Sequence, residues 1–232
     1  LIDEEKATNF TGSPTMYIMM MDHPDFPKRN TRSITSCIIG GSDVAPELVR
    51  AIMDKMGIKD VISAYGMTEN SGISTCSRRG DPPEVVANTA GKLMFKHCDL
   101  KMLDPETGKE VPRGTQGEIC TKGWFVMKEY YKMPEETKKA FDKNGWFHTG
   151  DLGIMNDKGY IKITGRIKDM FITGGVNAYP AEIENFLFTH PKIAMVAVTG
   201  VPDRRMGEVG MAFIKLKEGQ TATAEEMFSS HG

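Results

Sequence analysis

The chain has 232 residues, of which 40% are hydrophobic and 26% charged, the usual composition of a globular protein that buries a core. Its 29 basic and 31 acidic residues give a formal net charge of -2, which indicates no basic surface for nucleic acid or anionic membranes. The four cysteines form no CxxC pair and have no histidine at zinc-ligand spacing, so the sequence favours free thiols in a reducing compartment.

Residues 1–85 alternate short apolar runs with amphipathic patterns, which is typical of an α/β subdomain. The apolar run 34–39 predicts a strand. Residues 44–56 predict an amphipathic helix, because apolar side chains recur on one stripe at i+4 spacing until Gly57. A second strand is predicted at 61–64.

Residues 86–165 follow a different pattern, in which short apolar stretches are separated by strong turn sequences such as NGW and NDKG. We interpret this region as a small antiparallel β-barrel or sheet. Only residues 134–141 interrupt it, because Pro134 in a first helical turn and the acids that follow predict a helix. The predicted N-terminal domain therefore covers residues 1–165, with subdomains 1–85 and 86–165.

Beyond that boundary the α/β alternation returns, and we expect a separate α+β domain over residues 166–232. Helices are predicted at 180–188 and 224–228, and strands at 194–199 and 209–216. A unit of this size buries little surface alone, so we expect the domain to be incomplete. The opening residues LIDEEKATNF lack Met and the layout of a targeting peptide, and no window approaches the ~20 apolar residues of a membrane span. We therefore expect a chain that is cut at both ends.

The strongest local motif is SAYGMTE, residues 63–69, which follows a predicted strand with side chains suited to a nucleotide. Tyr65 offers an aromatic face for a purine, and Gly66 lets the backbone approach a ligand closely. Thr68 can donate a hydrogen bond to a phosphate oxygen, and Glu69 can hold Mg²⁺. A strand end with a turn glycine explains the same residues, so the motif alone leaves both interpretations open.

Two further motifs are informative only in combination. GWFHTGD places Asp151 after a glycine, where its two oxygens can accept hydrogen bonds from vicinal hydroxyls such as those of ribose. GRIKDMFITGGVNAYPAEIE, residues 165–184, joins a cation, a charged pivot, a paired-glycine turn and a proline-started helix. Each motif is equally explained by a hairpin, a loop or a helix start. No carboxylate or cysteine partner for His148 is identifiable from sequence, and we interpret it as a packing residue.

Six blocks, in their order along the chain, resemble the acyl-adenylate-forming superfamily of acyl-CoA synthetases, peptide-synthetase adenylation domains and firefly-type luciferases. The blocks are TGSPTMY, IIGGSDVAPEL, AYGMTE, GTQGEICTKG, GWFHTGD and GRIKDMFITGGVNAYPAEIE. The resemblance covers essentially the whole chain, and residues 174–208 are most similar to the mitochondrial medium-chain branch of the acyl-CoA synthetases. The prediction rests on the set of blocks and their order, and not on any single one.

The resemblance implies a partial acyl-adenylate-forming fold, in which matching residues contact a nucleotide. The loop at Gly40, Gly41 and Ser42 would lie against adenine and the acyl pocket, with Tyr65 and Gly66 beside the purine. The other implied contacts are those of Thr68 with the α-phosphate, Glu69 with Mg²⁺, Asp151 with the ribose hydroxyls, and Arg166 with the ribose or phosphate.

The last two implied roles concern the C-terminal domain, which in this superfamily is a swivelling lid. Lys168 matches the hinge position about which the lid rotates between the adenylation and thioester steps. Gly174 and Gly175 match the loop that lines the pantetheine tunnel, where missing side chains leave room for the thiol arm. On local grounds alone, a flexible turn explains the two glycines equally well.

The resemblance also implies the reaction, in which ATP activates a fatty, medium-chain acid as an acyl-adenylate that CoA then opens. The implied ligands are ATP, Mg²⁺, CoA and the acid, and the implied location is the mitochondrial matrix, with the cytoplasm as the alternative. The superfamily's phosphate-binding loop and late adenylation lysine do not occur in this sequence, so we expect little pyrophosphate exchange from this chain alone. The open alternatives are a non-catalytic nucleotide-binding or interaction module, a peptide-synthetase adenylation domain and a luciferase-like enzyme.

Overall fold

The computed structural model describes residues 1–41 and 44–229, and internal contacts divide the chain into two units. The first unit comprises Leu1–Thr149 and Ile154–Ile163, and the second comprises Gly150–Gly153 with the chain from Thr164 onward. No helix in the described residues is long and apolar enough to cross a lipid bilayer. The domain boundary expected after residue 165 stays a prediction.

A five-stranded sheet forms the first part of unit one. Its strands are Asn9–Gly12 (β1), Ser36–Gly40 (β2), Asp60–Tyr65 (β3), Thr75–Cys76 (β4) and Lys92–Leu93 (β5). They lie in the order β1-β2-β3-β4-β5, with β1 to β3 parallel and the remaining neighbours antiparallel. The accompanying helices are Ile2–Glu5 (α1), Pro14–Asp22 (α2), Pro46–Ala51 (α3) and Pro83–Asn88 (α4), with a 3₁₀ turn at Phe26–Lys28. The predicted strands at 34–39 and 61–64 are confirmed as β2 and β3.

The helix predicted over 44–56 is present in a modified form. It begins at Pro46, which suits the first helical turn because no backbone N–H is needed there. After α3 the helix widens into a π-helical turn, Ile52–Met56, in which hydrogen bonds span five residues instead of four, before Gly57 ends it with a φ of 72°. Leu48 and the apolar ends of the π turn are buried in the core of the sheet, as the stripe predicts.

The core of this sheet fixes the strand ends from which the candidate site emerges. Its fully covered side chains come from the strands, the loops before them and the covering helices, and include Tyr17, Ile34, Ile39, Val49 and Ile58. Burying each such side chain is worth about 1.5–3 kcal/mol, so the cluster holds β2 and β3 rigidly beside each other.

A second sheet has four strands, Asp99–Leu103 (β6), Gln116–Lys122 (β7), Phe147–Met155 (β8) and Ile161–Arg166 (β9). They lie in the order β6-β7-β8-β9, and β6 and β7 are antiparallel. The predicted helix at 134–141 is confirmed as Pro134–Ala140 (α5). The sheet is open, because no pairing in the described residues joins β6 to β9, so the region expected to be a barrel or a sheet is a sheet.

The second unit carries a third sheet in the order β11-β10-β13-β12. The strands are Phe171–Thr173 (β10), Val176–Ala178 (β11), Ile193–Asp203 (β12) and Gly207–Leu216 (β13), and the helices are Pro180–Phe188 (α6) and Ala224–Ser229 (α7). Phe171, Leu187 and Val198 are among the buried residues of its core. All four elements predicted between 180 and 228 are confirmed.

Candidate functional site

Two loops with predicted ligand contacts leave the first sheet side by side. β2 and β3 are parallel neighbours, and Gly40 is in register with Ala64. A Cβ at Gly40 would lie 2.5 Å from the Ala64 carbonyl oxygen, so only glycine allows this close approach. Because parallel strands end at the same edge, the loops after Gly40 and Tyr65 begin next to each other. The carboxyl edge of such a sheet is where open α/β folds bind ligands.

The loop after β2 is only partly described. Gly41 has a φ of +89°, a conformation that favours glycine. Among the described residues other than its chain neighbours, none has an atom within 4 Å of a Cβ built there. Ser42, for which the resemblance implies an adenine contact, lies outside the described residues.

The loop after β3 folds tightly back on itself at Gly66. A Cβ at this position would lie 2.3 Å from the Gly72 carbonyl oxygen and 2.6 Å from the Ile73 Cα. Both are backbone atoms, which cannot rotate away as a side chain can. The close approach of the backbone therefore requires glycine at this position, whether or not a ligand binds. The 3₁₀ turn Thr68–Asn70 follows it.

A buried hydrogen-bond network, which the sequence does not predict, holds this loop in place. Asn70 is fully buried, and its Nδ2 donates to Ser74 Oγ at 3.0 Å while its Oδ1 accepts from Thr121 Oγ1 at 3.1 Å. Ser71 Oγ donates to the Phe125 carbonyl at 2.7 Å. Buried polar groups are costly without partners, so this network fixes the position of the preceding residues.

Thr68 and Glu69, which are predicted to contact the α-phosphate and Mg²⁺, differ in their surroundings. Thr68 is exposed to solvent, while Glu69 is partly buried. Tyr130 Oη donates to Glu69 Oε1 at 2.9 Å, and the Met127 N–H donates to the Glu69 carbonyl at 2.7 Å. Burial raises the pKa of the Tyr130 phenol, and the hydrogen bond to Glu69 raises it further, so the phenol remains a donor. Tyr130 thus orients the carboxylate, a role that no sequence motif indicates.

Tyr65 is partly buried beside the core of the second sheet. Its ring packs against a cluster that includes Met102, Ile119 and Ile161. The Ser74 N–H donates to its carbonyl oxygen at 2.8 Å, which closes the loop that contains the SAYGMTE motif. The aromatic ring is therefore held from behind by apolar side chains at the edge where the two loops emerge.

Asp151 and Arg166, which the resemblance assigns to the ribose, meet in the second unit. Asp151 lies in β8 and is 6% exposed, and Arg166 ends β9. The Arg166 Nε lies 3.1 Å from Asp151 Oδ1, although the guanidinium side chain is 56% exposed. The structure thus joins two residues that the sequence only suggested separately, and it presents a carboxylate whose orientation an arginine fixes.

The predicted pivot and paired glycines follow along the same unit. Lys168 is exposed in a short 3₁₀ turn, Ile167–Asp169, between β9 and β10. Gly174 and Gly175 form the two-residue turn of the β10–β11 hairpin, with φ values of +58° and +84°. Positive φ at both positions is the requirement of a type I′ turn, so the turn alone explains the two glycines. Apart from its chain neighbours, no described residue has an atom within 4 Å of a Cβ built at Gly175.

A further cluster brings together three side chains that the sequence did not connect. Glu118 and Cys120 are two residues apart on β7, so both point to the same face of the sheet, and His148 lies on β8. His148 Nδ1 is 2.7 Å from Glu118 Oε2 and 3.6 Å from Cys120 Sγ. Burial raises the pKa of the Cys120 thiol, and the Glu118 charge raises it further. The interpretation of His148 as an unpartnered packing residue is therefore incomplete.

Comparison with known proteins identifies the family. Residues 1–131 match the family model for AMP-binding enzymes, and residues 182–231 match the model for the AMP-binding enzyme C-terminal domain. The first match covers more than half of the chain. The chain belongs to the AMP-binding enzyme family.

Curated relatives and solved structures support the acyl-CoA synthetase branch that the sequence blocks resemble. YngI of Bacillus subtilis (strain 168) is 44% identical over 226 residues, which are 97% of this chain and 41% of that protein. The mitochondrial medium-chain acyl-CoA ligase ACSF2 of Danio rerio is 46% identical over 97% of this chain and 37% of its own length. ATP-bound MatB from Rhodopseudomonas palustris has a TM-score of 0.87 and 36% identity, over 96% of this chain and 43% of MatB. The chain thus spans about two-fifths of the length of these proteins.

Proposed function

We propose that this protein is an AMP-forming acyl-CoA ligase, which uses ATP to activate a medium-chain fatty acid as an acyl-adenylate and then transfers the acyl group to CoA. The observation that carries the proposal is the turn after β3, which presents the exposed Thr68 hydroxyl beside the oriented Glu69 carboxylate. This turn emerges at the carboxyl ends of the parallel strands β2 and β3, next to the glycine loop of β2.

In the first half-reaction, an oxygen of the fatty-acid carboxylate attacks the α-phosphorus of ATP, and pyrophosphate leaves. Thr68 donates a hydrogen bond to an α-phosphate oxygen, where negative charge grows in the transition state. Tyr65 supports the adenine with its ring, and the Gly40–Gly41 backbone lies close to the base. Asp151 accepts hydrogen bonds from the ribose hydroxyls, with Arg166 holding the carboxylate in position. Placing acid and nucleotide together removes the entropy cost of their encounter.

Glu69 fits the requirements of a magnesium ligand. Mg²⁺ is held in proteins through one or two carboxylates together with substrate phosphates, and Glu69 is a single carboxylate beside the expected phosphate position. One of its oxygens is fixed by the Tyr130 hydroxyl at 2.9 Å, which pre-orients the other. When bound, Mg²⁺ neutralises charge on the phosphates during displacement. In this proposal Glu69 supplies the oxygen that binds Mg²⁺, and Tyr130 is the positioning residue that orients it.

Changing Tyr130 to phenylalanine is expected to weaken magnesium-dependent ATP binding by roughly fivefold, the equivalent of one hydrogen bond of about 1 kcal/mol. Titration calorimetry with ATP at several Mg²⁺ concentrations measures the effect. ATP affinity without Mg²⁺ should be unchanged, because Tyr130 acts through Glu69. Tyr131→Phe is the matched control, since Tyr131 is the neighbouring residue and is 80% exposed. Equal losses with and without Mg²⁺ would contradict the positioning role.

In the second half-reaction, the sulfur of CoA attacks the carbonyl carbon of the acyl-adenylate, and AMP leaves. We propose that Lys168 is the pivot for the rotation that separates the two steps. It is exposed in a short turn between β9 and β10, and the turn itself, Ile167–Asp169, contains no buried residue. We assign the Gly174–Gly175 turn to the passage of the pantetheine arm, because the space around Gly175 is open.

Replacing Gly175 with asparagine separates the turn requirement from the proposed passage. Asparagine tolerates positive φ, so the hairpin should fold with nearly unchanged stability, while its side chain obstructs the thiol arm. We expect CoA to bind about tenfold more weakly, a loss of ~1.4 kcal/mol, when titrated in the presence of an acyl-adenylate analogue. Gly219→Asn is the control, because Gly219 also has positive φ and open surroundings. Unchanged CoA affinity in a stable Gly175→Asn variant would rule out the assignment.

The name of the ACSF2 relative, a mitochondrial medium-chain acyl-CoA ligase, extends the proposal to a medium-chain substrate and a mitochondrial location. The resemblance of the sequence blocks extends it to lipid metabolism and to the matrix. Bacterial YngI is similarly related at 44% identity, which keeps the cytoplasm as the alternative location. Fatty-acid-dependent exchange of pyrophosphate into ATP, measured on this chain and on any longer product of its gene, tests turnover. Exchange that is largest with medium-chain acids supports the proposal. Retained ATP binding without exchange in either protein favours the non-catalytic nucleotide-binding module.

A further inference from the structure

Glu118, Cys120 and His148 bring three different metal-ligand groups together in the first unit, and the proposed reaction gives them no role. One carboxylate oxygen, Cys120 Sγ and a ring nitrogen of His148 all lie within 4.8 Å of one another. Glu118 and Cys120 are buried, whereas the His148 side chain is 28% exposed. The cluster is therefore enclosed by the sheet but open to solvent on the histidine side, which provides a path for an ion.

The distances between these donor atoms can be compared with those between the ligand atoms of a tetrahedral zinc ion. Zinc binds thiolate at about 2.3 Å and imidazole nitrogen at about 2.0–2.1 Å, which at a tetrahedral angle places sulfur and nitrogen about 3.6 Å apart. The observed separation of Cys120 Sγ and His148 Nδ1 is 3.6 Å. Zinc bonds of about 2.0–2.2 Å at a tetrahedral angle would place Glu118 Oε2 about 3.4 Å from the nitrogen. The two atoms are 2.7 Å apart, so the carboxylate must move outward by about 0.7 Å to exchange its hydrogen bond for a metal bond.

We propose that Glu118, Cys120 and His148 form a binding site for a zinc-type divalent cation, with water as the fourth ligand. Two neighbouring strands fix the donors: β7 supplies two side chains of one face, and β8 supplies the third. Three protein ligands with an open fourth position are the arrangement of exchangeable zinc sites. This proposal does not depend on the ligase activity.

Metal binding at this cluster exchanges protons for a metal cation. The cation enters, and the Cys120 thiol releases its proton to solvent. The Nδ1 proton that faces Glu118 is also released, with the neutral His148 ring keeping its proton on Nε2, so that the sulfur and the freed lone pair of Nδ1 bind the metal. Burial disfavours the free thiolate, and the metal charge offsets that cost. Lys101 and Asp142 also act on the thiol electrostatically, but Lys101 Nζ lies 4.0 Å over the Trp146 ring and Asp142 accepts the Asn144 and Trp146 N–H groups.

Titration of the metal-free chain with Co²⁺ and Zn²⁺ tests the site. Co²⁺ serves as the spectroscopic probe, because a thiolate ligand gives it a sulfur-to-cobalt charge-transfer absorption band. We expect saturation at one ion per chain, displacement of Co²⁺ by Zn²⁺, and a thiolate band that disappears in Cys120→Ser. In His148→Gln, the dissociation constant should rise at least about tenfold, since one of three protein ligands is lost.

Two matched variants exclude adventitious binding. Cys76→Ser removes another free thiol, and His23→Gln removes an exposed histidine, so both should bind Co²⁺ as the unmodified chain does. Circular dichroism of each variant confirms that it is folded. The proposal is overturned if the folded chain binds no stoichiometric Co²⁺, if the charge-transfer band survives Cys120→Ser, or if His148→Gln binds as tightly as the unmodified chain. Any of these results would mean that His148 and Glu118 form only an ion pair beside the buried Cys120 thiol.

Discussion

The Asp151→Ala variant is expected to bind ATP about 100-fold more weakly than the unmodified chain, a loss of ~2.7 kcal/mol, because hydrogen bonds to a charged group contribute about 1.5–3 kcal/mol each. Its carboxylate is almost fully buried and has a fixed orientation, since Arg166 Nε lies 3.1 Å from one of its oxygens. A fixed acceptor has little side-chain entropy to lose when the ribose hydroxyls arrive. Asp151→Asn should retain part of the affinity, because an amide oxygen still accepts one hydrogen bond.

The fold should survive this substitution. The Arg166 side chain is 56% exposed, so its guanidinium stays hydrated after the partner is removed. No uncompensated buried charge is therefore left behind, which is the main cost of breaking a buried ion pair. Asp157→Ala, in an exposed turn, is the control for the removal of a charge. Titration calorimetry measures ATP affinity, and circular dichroism measures folding; unchanged affinity in a folded Asp151→Ala variant contradicts the ribose role.

Gly66→Ala is expected to lower the free energy of unfolding by about 3 kcal/mol, at the upper end of the range for overpacking substitutions. The added methyl would lie 2.3 Å from the Gly72 carbonyl oxygen and 2.6 Å from the Ile73 Cα. Relief requires movement of the backbone between residues 66 and 74. The buried hydrogen bonds of Asn70 to Ser74 and Thr121 oppose that movement.

Gly12→Ala is the matched control for this steric effect. Gly12, like Gly66, does not have positive φ, but the nearest atom to its Cβ would be a Phe10 ring carbon at 3.1 Å. A side chain can move aside where the backbone cannot, so a destabilisation below about 1 kcal/mol is expected. Urea unfolding of the two variants measures the difference. Equal midpoints and slopes for Gly66→Ala and Gly12→Ala would show that the loop after β3 is not packed as described.

The sequence predicts four of the helices and four of the strands of this fold individually, because their signals are local. Apolar periodicity and the Pro134 and Pro180 helix starts identify α5 and α6 to within a residue. The π-helical turn at Ile52–Met56 is not predictable in this way, since the same apolar stripe suits an uninterrupted α-helix. Whether four strands close into a barrel depends on pairing between distant segments, which composition and turns do not determine.

The candidate site is predictable only where its residues share a motif. Tyr65, Thr68 and Glu69 are adjacent in sequence, and their side-chain types already suggest a nucleotide. Tyr130 contacts Glu69 from 61 residues away, so no local pattern indicates the hydrogen bond. For the same reason, the sequence leaves His148 without its partners, which lie on β7.

A polar residue within an apolar strand is the one signal available for such hidden contacts. Glu118 sits in QGEICTK directly before Ile119 and Cys120, and a buried carboxylate requires a partner. That reasoning predicts that Glu118 is paired, but it does not identify His148. Asn70 is a comparable case, because it follows the SAYGMTE motif and is completely buried among hydroxyl groups.

The central claim is that this chain recognises an adenylate, and titration with a non-hydrolysable acyl-adenylate analogue tests it most directly. The same acyl chain on a guanosine analogue is the comparison, because only the base differs. We predict saturable binding of one adenosine analogue per chain, at least about tenfold tighter than the guanosine analogue, which is a difference of ~1.4 kcal/mol. A folded chain that binds neither analogue, or both equally, would contradict the account.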